Sequence, residues 1–379
     1  MSQPAIGPAM EISTTRPFGE RGSLIRPGVK FGGDFLLGTL CAGSAVVVLL
    51  MLAALVAVMA IASMPSIREF GVGFLVSSEW RPNALEVPKK DAAGNATIDS
   101  DGNTVMETIP PSFGALPVIF GTTVSSMLAL VFAVPLSLGA ALFLIRIAPK
   151  FFAGPVSFLI EFLAAIPSIA YGMWGLFVLA PFLQSHVEMG IGNVYESLGR
   201  PGWLHWLFQD TTHLAGGTVL VRDIALTGRD MFCGGLVLAI MIVPIVTAIS
   251  RDVLKTVPRA QIEGTVALGA TWWQSSKEML RYSRAGLFGA VMLGLARAAG
   301  ETMAVTMVIG NNNQIRASLF APAQTMSSLL ANEFAEASTD LHKASLSEVA
   351  LILLVMSLAF NVVARYLVVG KGSRSASAH

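Results

Sequence analysis

Long uncharged stretches divide the chain before any motif does. Between Asp34 and Arg68 no charged residue occurs, and the densest apolar part runs from Phe35 to Ile61. A second such stretch covers about Leu116 to Ile145. A third runs from Phe151 to about Leu183 and is broken only by Glu161. A fourth runs from Met231 to Ser250 without a charge. The fifth, Ala285 to Ile309, is apolar except for Arg297 and Glu301, and the sixth runs from Leu346 to Val369 with Glu348 and Arg365 near its ends. Crossing a bilayer as a helix takes about 20 mostly apolar residues. The pattern therefore predicts an all-α polytopic membrane protein with six transmembrane helices. The first apolar stretch is too long, and its N-terminal flank too extended, for a cleaved signal peptide.

The predicted organisation follows the polar intervals. Residues 1–34 read as a flexible tail rich in Pro, Gly and Ser, and 35–63 as the first span. A polar loop follows over 64–115, with an insertion at 86–111 whose Asp101-Gly102 pair fits a small hairpin turn. The helical core occupies 116–369, including a polar loop at 251–284, and 370–379 is a short tail. The pair Asp99 and Asp101 lacks the spacing and terminal Glu of a calcium loop, so the insertion reads as solvated surface.

Composition sharpens this reading. Of 379 residues 54% are hydrophobic and 13% charged, against roughly a quarter charged in soluble domains. The mean hydropathy is +0.66. Twenty-five Lys and Arg against 24 Asp and Glu leave a net charge of +1, which argues against a nucleic-acid partner. Cys41 and Cys233 both lie in apolar runs and give no disulfide framework. With the N-terminus inside, the inner segments hold 15 Lys and Arg and the longer outer loops nine, which places both termini in the cytoplasm.

Much chemistry is missing. There is no G-x-x-x-x-G-K-[ST] phosphate loop, so the chain does not bind and hydrolyse ATP in that way, and H-E-x-x-H, G-x-S-x-G and C-x-x-C are also absent. His186, His205, His213, His342 and His379 share no helical face and read as surface residues, with no metal site. No enzyme is indicated.

What is present sits inside the spans. A charge at mid-membrane costs about 2.5–3.5 kcal/mol on insertion scales and usually marks a pathway or an internal pair. Arg297 is predicted near the midplane of span five, with Glu301 on the same face at i+4 and Glu161 at similar depth in span three. The three form either a neutralising cluster or an anion gate. Gly286, Ala290, Gly294 and Ala298 make a small-residue ridge beside Arg297, suited to close helix packing. In the 251–284 loop, Ile262, Val266, Leu268, Trp272, Trp273, Met279 and Leu280 predict two short amphipathic helices joined at Gly269. These residues suit an interfacial anchor or a docking knob equally.

Glu263-Gly264-Thr265, three residues, then Gly269 resembles the EAA loop of ABC importer permeases. The segment GAVMLGLARAAGETMAVTMVIGN, Gly289 to Asn311, resembles the hallmark segment of permease subunits of high-affinity phosphate importers. FLVSSEWRP (Phe74–Pro82), FGALPVIFG (Phe113–Gly121), EFLAAIPSIAYGMWGLFVLAP (Glu161–Pro181), SRD (Ser250–Asp252) and NEFAEA (Asn332–Ala337) agree in order. The resemblance implies a type I ABC importer permease fold in a bacterial inner membrane. It implies a sister permease subunit, two copies of a cytoplasmic ATPase and a periplasmic phosphate-binding protein as partners, and inorganic phosphate as substrate. The chain itself would hold no cofactor, since ATP and Mg would bind the partner ATPase. Arg297 and Glu301 map onto the Arg and Glu linked to phosphate passage, and Glu161 joins them as the third charged residue expected at that depth. Glu263, Gly264, Thr265 and Gly269 map onto the ATPase-coupling loop. Three departures stand out: Met279-Leu280-Arg281-Tyr282 lacks the family's proline, Ala296 replaces the glycine before the arginine, and the 86–111 insertion lengthens the first outer loop. Sulfate or molybdate transport, or a phosphate-signalling scaffold without transport, fits the membrane residues as the alternative.

Overall fold

The computed structural model describes residues 32–88, 104–202, 205–213 and 219–376. The N-terminal 31 residues, most of the 86–111 insertion and His379 lie outside the described residues. Every apolar stretch is helical, and among the described residues four are unbroken helices long and apolar enough to cross a membrane. These are α1 (Gly32–Phe70), α2 (Leu116–Arg146), α5 (Met231–Lys255) and α11 (Asp340–Ala376). Up to Leu55, α1 is a unit of its own with apolar side chains exposed all round, as a lipid-facing helix requires. Residues from Val56 onward form the second unit.

The third stretch departs from a single span. It forms α3 (Lys150–Ala164) and α4 (Ser168–Ser197), which meet at 90°. Pro167 supplies no N–H to continue α3 and starts α4 instead. Two π-helical turns, Gly175–Leu179 and Leu183–Glu188, interrupt α4 itself. The fifth stretch is also broken, into α8 (Arg284–Ala299) and α9 (Met303–Val308). Three further helices matter here, α6 (Arg259–Ala267), α7 (Trp272–Tyr282) and α10 (Met326–Glu333).

The core forms around α5, whose Leu238 and Ile242 are fully buried among Ala129 and Ala133 of α2, Ala298 of α8 and Val305 of α9. The small-residue ridge of α8 faces α5 as expected. A Cβ built at Gly294 would stand 2.7 Å from Val246 Cγ2, and one at Gly286 would stand 2.6 Å from Val253 Cγ1. No room is left for a larger residue. Gly294→Val is expected to destabilise by about 1–3 kcal/mol through overpacking, visible as a lower thermal midpoint of the purified protein.

Two small antiparallel ribbons decorate the bundle. β1 (Leu85–Pro88) pairs with β2 (Met106–Ile109), Leu85 opposite Ile109, so the base of the expected hairpin is present although its Asp-Gly turn lies outside the described residues. β3 (Gln209–His213) pairs with β4 (Val219–Asp223).

Three motifs that read separately in the sequence meet at one end of the bundle. Trp80 Nε1 donates to Glu333 Oε2 at 2.8 Å, and His342 Nε2 lies 3.1 Å from the same oxygen. Phe113 stacks on the His342 ring at 5.4 Å between centroids. His342 is therefore buried, not a surface residue, because its ring fills a slot among Trp80, Phe113 and Glu333.

Candidate permeation and coupling sites

Arg297 occupies the last turn of α8, roughly 20 Å along the helix from Arg284 at 1.5 Å per residue. The helix stops two residues later, at Ala299, with Gly300 at φ −93° and ψ 0°. Glu301 therefore does not continue the face that carries Arg297. It lies in the break, 8% exposed, where Oε1 accepts from the Ala304 N–H at 3.4 Å and its carbonyl accepts from Ser327 Oγ at 2.7 Å. The expected Arg297–Glu301 pair is not formed. The restarting helix has N–H groups without intrahelical acceptors, and the carboxylate turns inward toward them. Arg297 is exposed and makes no ion pair among the described residues.

The neighbour of Arg297 across the bundle is Tyr171 on α4, whose hydroxyl lies in the field of the guanidinium. That hydroxyl donates to Leu163 O at 2.8 Å, spanning the bend between α3 and α4. Just beside it, a Cβ at Gly172 would stand 2.8 Å from Ala304 Cα, so α4 and α9 touch backbone to backbone. An exposed guanidinium next to a helix break has its fork of donors free for a tetrahedral oxyanion.

Glu161 does not join this group. With the 90° bend between α3 and α4, Glu161 lies at the far end of α5, where its Oε1 accepts from Arg251 Nη2 at 2.9 Å. Arg251 also bonds Asp252 at 2.9 Å, and Lys255 lies 3.3 Å from the same Asp252 oxygen. Two cations and two carboxylates thus balance beside the 251–284 loop. The Arg251 side chain is only 10% exposed, so the SRD motif is the anchor of this cluster. Sequence spacing gave no sign of it, since Glu161 and Arg251 are 90 residues apart.

The 251–284 loop has the expected build. The two helices, α6 and α7, join through Gly269 at φ +83°, and Thr271 with Gln274 forms a capping box that starts α7. Thr265 Oγ1 donates to Ile262 O at 2.7 Å and lies 3.4 Å from Ser275 Oγ, tying one helix to the other. Arg146 at the end of α2 donates to Ser275 Oγ at 3.2 Å. Ile262, Met279 and Leu280 pack against Ala141, Leu254 and Leu287. The opposite face stays open: Glu263 and Gly264 are exposed, Trp273 largely so, and Leu268 is 90% exposed. Despite the missing proline, α7 does not run straight into α8, because Ser283 at φ −86° and ψ 2° separates them. A side chain at Gly269 meets open space, so its requirement is conformational. Gly269→Ala is expected to cost about 1–2 kcal/mol from the left-handed backbone, measurable as a lower unfolding midpoint.

A second carboxylate pair escaped sequence reading. Glu188 of α4 and Asp230, the N-cap of α5, are both fully buried. They come together only because residues 226–230 fold back onto α4.

A multi-pass helical bundle with a protruding helix pair at one end and an arginine at a broken span has the build of a membrane transport permease. Residues 133–370 match the family described as binding-protein-dependent transport system inner membrane component, and the chain belongs to that family. Among its relatives, the phosphate transport system permease protein PstC of Mesorhizobium japonicum is 38% identical over 333 residues, covering 88% of this chain and 89% of that protein. The PstC of Haemophilus influenzae is 37% identical, covering 86% of this chain and 89% of that one. The inward-facing MetNI methionine ABC transporter is similar with a TM-score of 0.43, at 16% identity over 68% of this chain and 94% of that chain.

Proposed function

We propose that this chain is a permease subunit of an ATP-driven phosphate importer in a bacterial inner membrane, with both termini cytoplasmic. Support for phosphate comes from relatives named for phosphate transport that align over most of the chain. The observation that carries the mechanism is Arg297, exposed and without a counter-carboxylate among the described residues at the break between α8 and α9. In this reading Arg297 contacts the passing phosphate, while Glu301 fixes the break that presents it. Glu161 holds Arg251 near the cytoplasmic face and takes no direct part in passage.

Coupling runs through the α6–α7 knob. Its open face, with Glu263, Gly264 and Leu268, docks on a cytoplasmic ATPase present in two copies, which binds ATP and Mg. Thr265 and Gly269 keep the knob in shape. The knob moves as one piece with the ends of α2 and α5, because Arg146 and the cluster around Met279 tie it to both. A sister permease completes the pathway, and a periplasmic phosphate-binding protein delivers the anion.

Competition assays test the substrate. Wild-type uptake of labelled phosphate with all partners present is expected to be unaffected by excess sulfate or molybdate. Inhibition by either at equal concentration would favour the broader oxyanion reading.

A further inference from the structure

Glu188 and Asp230 are both at 0% exposure, and Glu188 reaches the backbone of Gly228, two residues before Asp230. Each has one oxygen already engaged. Glu188 Oε2 accepts from the Gly228 N–H at 3.1 Å, and Asp230 Oδ1 accepts from the Cys233 N–H at 2.8 Å as the cap of α5. The other two oxygens, Glu188 Oε1 and Asp230 Oδ2, are buried without a donor. Two buried carboxylates whose charges act on one another resist being charged together, and a buried acceptor without a donor is costly. A single proton shared between the free oxygens removes both faults.

We propose that Glu188 and Asp230 form a proton-binding site that clamps the loop before α5 onto α4. The surrounding contacts give the clamp its purpose. Gln184, one turn before Glu188, donates from Nε2 to Leu226 O at 2.9 Å. Gly228, at φ +70°, fits so tightly that a Cβ would stand 2.1 Å from Ala180 O. The loop is thus seated on α4 by three contacts, and the carboxyl pair is the one that can be switched. Beneath it, Leu183, Cys233, Val237, Ala304 and Val308 form one apolar cluster joining α4, α5 and α9. The clamp closes the end of this wedge opposite the coupling helices, and α9 is the segment that restarts after Arg297.

Losing the proton places two negative charges in a dry site and pushes the loop from α4. The ionisable groups facing Asp230 are Glu188 from α4 and the Cys233 thiol from α5; no basic side chain acts on it among the described residues. Burial pushes the Asp230 carboxyl up to about 8, the Cys233 N–H works in the opposite direction, and the Glu188 charge raises it again. A carboxyl raised in the folded state binds its proton more tightly there than when unfolded. Its contribution is complete below its ordinary value of 3.8 and is lost as pH rises through about 8.

The test uses the full chain, purified and within its transporter, as wild type, Asp230→Asn and Glu188→Gln. Either amide keeps the backbone contacts and donates to the remaining carboxylate, so the clamp stays closed at every pH. Infrared difference spectra of wild type against each variant are expected to show a protonated-carboxyl band, sensitive to deuteration, lost in both. The thermal midpoint of wild type is expected to fall from about pH 6 to about pH 9 relative to both variants. The link to transport rests on the proposed importer reading. There, the ratio of variant to wild-type uptake should rise about threefold or more over the same range. Because the ratio is taken with the same partners and substrate, the ionisation of phosphate itself cancels. Absence of the band in wild type, its survival in both variants, or parallel melting profiles would overturn the proton site. A band and melting shift with parallel uptake ratios would overturn the clamp's role in transport while leaving the site. Failure of wild type to take up phosphate would bear on the importer reading alone, since the spectra and melting do not depend on it.

Discussion

Arg297→Gln is expected to cut phosphate uptake about 10- to 150-fold while leaving expression and assembly at wild-type levels. The size follows from losing hydrogen bonds between a charged donor and an anion, worth about 1.5–3 kcal/mol, at about 1.4 kcal/mol per factor of ten. The sparing of assembly follows from geometry. Arg297 holds no carboxylate among the described residues, so its removal strands no buried charge. Arg297→Lys is expected to recover only part of the loss, because a point charge cannot offer the same paired donors. Uptake normalised to the amount of assembled permease reads both effects. A second replacement at Glu301 is expected to give no rescue, since its carboxylate accepts from the Ala304 N–H in the first turn of α9 and does not neutralise Arg297.

Leu268→Asp carries the other large expectation. Leu268 is 90% exposed on the turn between α6 and α7. Such a residue contributes nothing to the fold, and an apolar anchor at the centre of an interface is worth about 2 kcal/mol or more. The variant is expected to fold normally and to lose ATPase association by about 30-fold or more. Co-purification of the ATPase with the permease, at matched permease levels, measures it. Intact association would move the docking surface elsewhere on the chain.

Which features were readable in the sequence depends on the range of the forces that made them. The four unbroken apolar helices, the Gly269 turn and the small-residue ridge of α8 are local patterns, and each appears where the pattern puts it. The break at Gly300–Thr302 was not readable, because Ala298, Ala299 and Met303 around it favour a continuous helix. Glu161 had a local warning in Pro167, which bends the chain by 90° and removes the residue from the bundle centre. Long separations hid the rest. Glu188 meets the loop of Asp230 through contacts 40 residues apart, and Trp80 reaches Glu333 across 253. His342 looked like a surface residue because two of its partners, Trp80 and Phe113, come from distant segments.

The central claim is that phosphate passes the exposed guanidinium of Arg297. Its most direct test is radiolabelled phosphate uptake in cells lacking other phosphate importers, expressing this chain with its partners as wild type and as Arg297→Gln. Uptake by wild type that falls at least tenfold in the variant, with equal amounts of assembled permease and bound ATPase, is the predicted result, taking the low end of the loss expected for a charged hydrogen bond. Undiminished uptake by a well-assembled variant would contradict the account and leave Arg297 a structural residue.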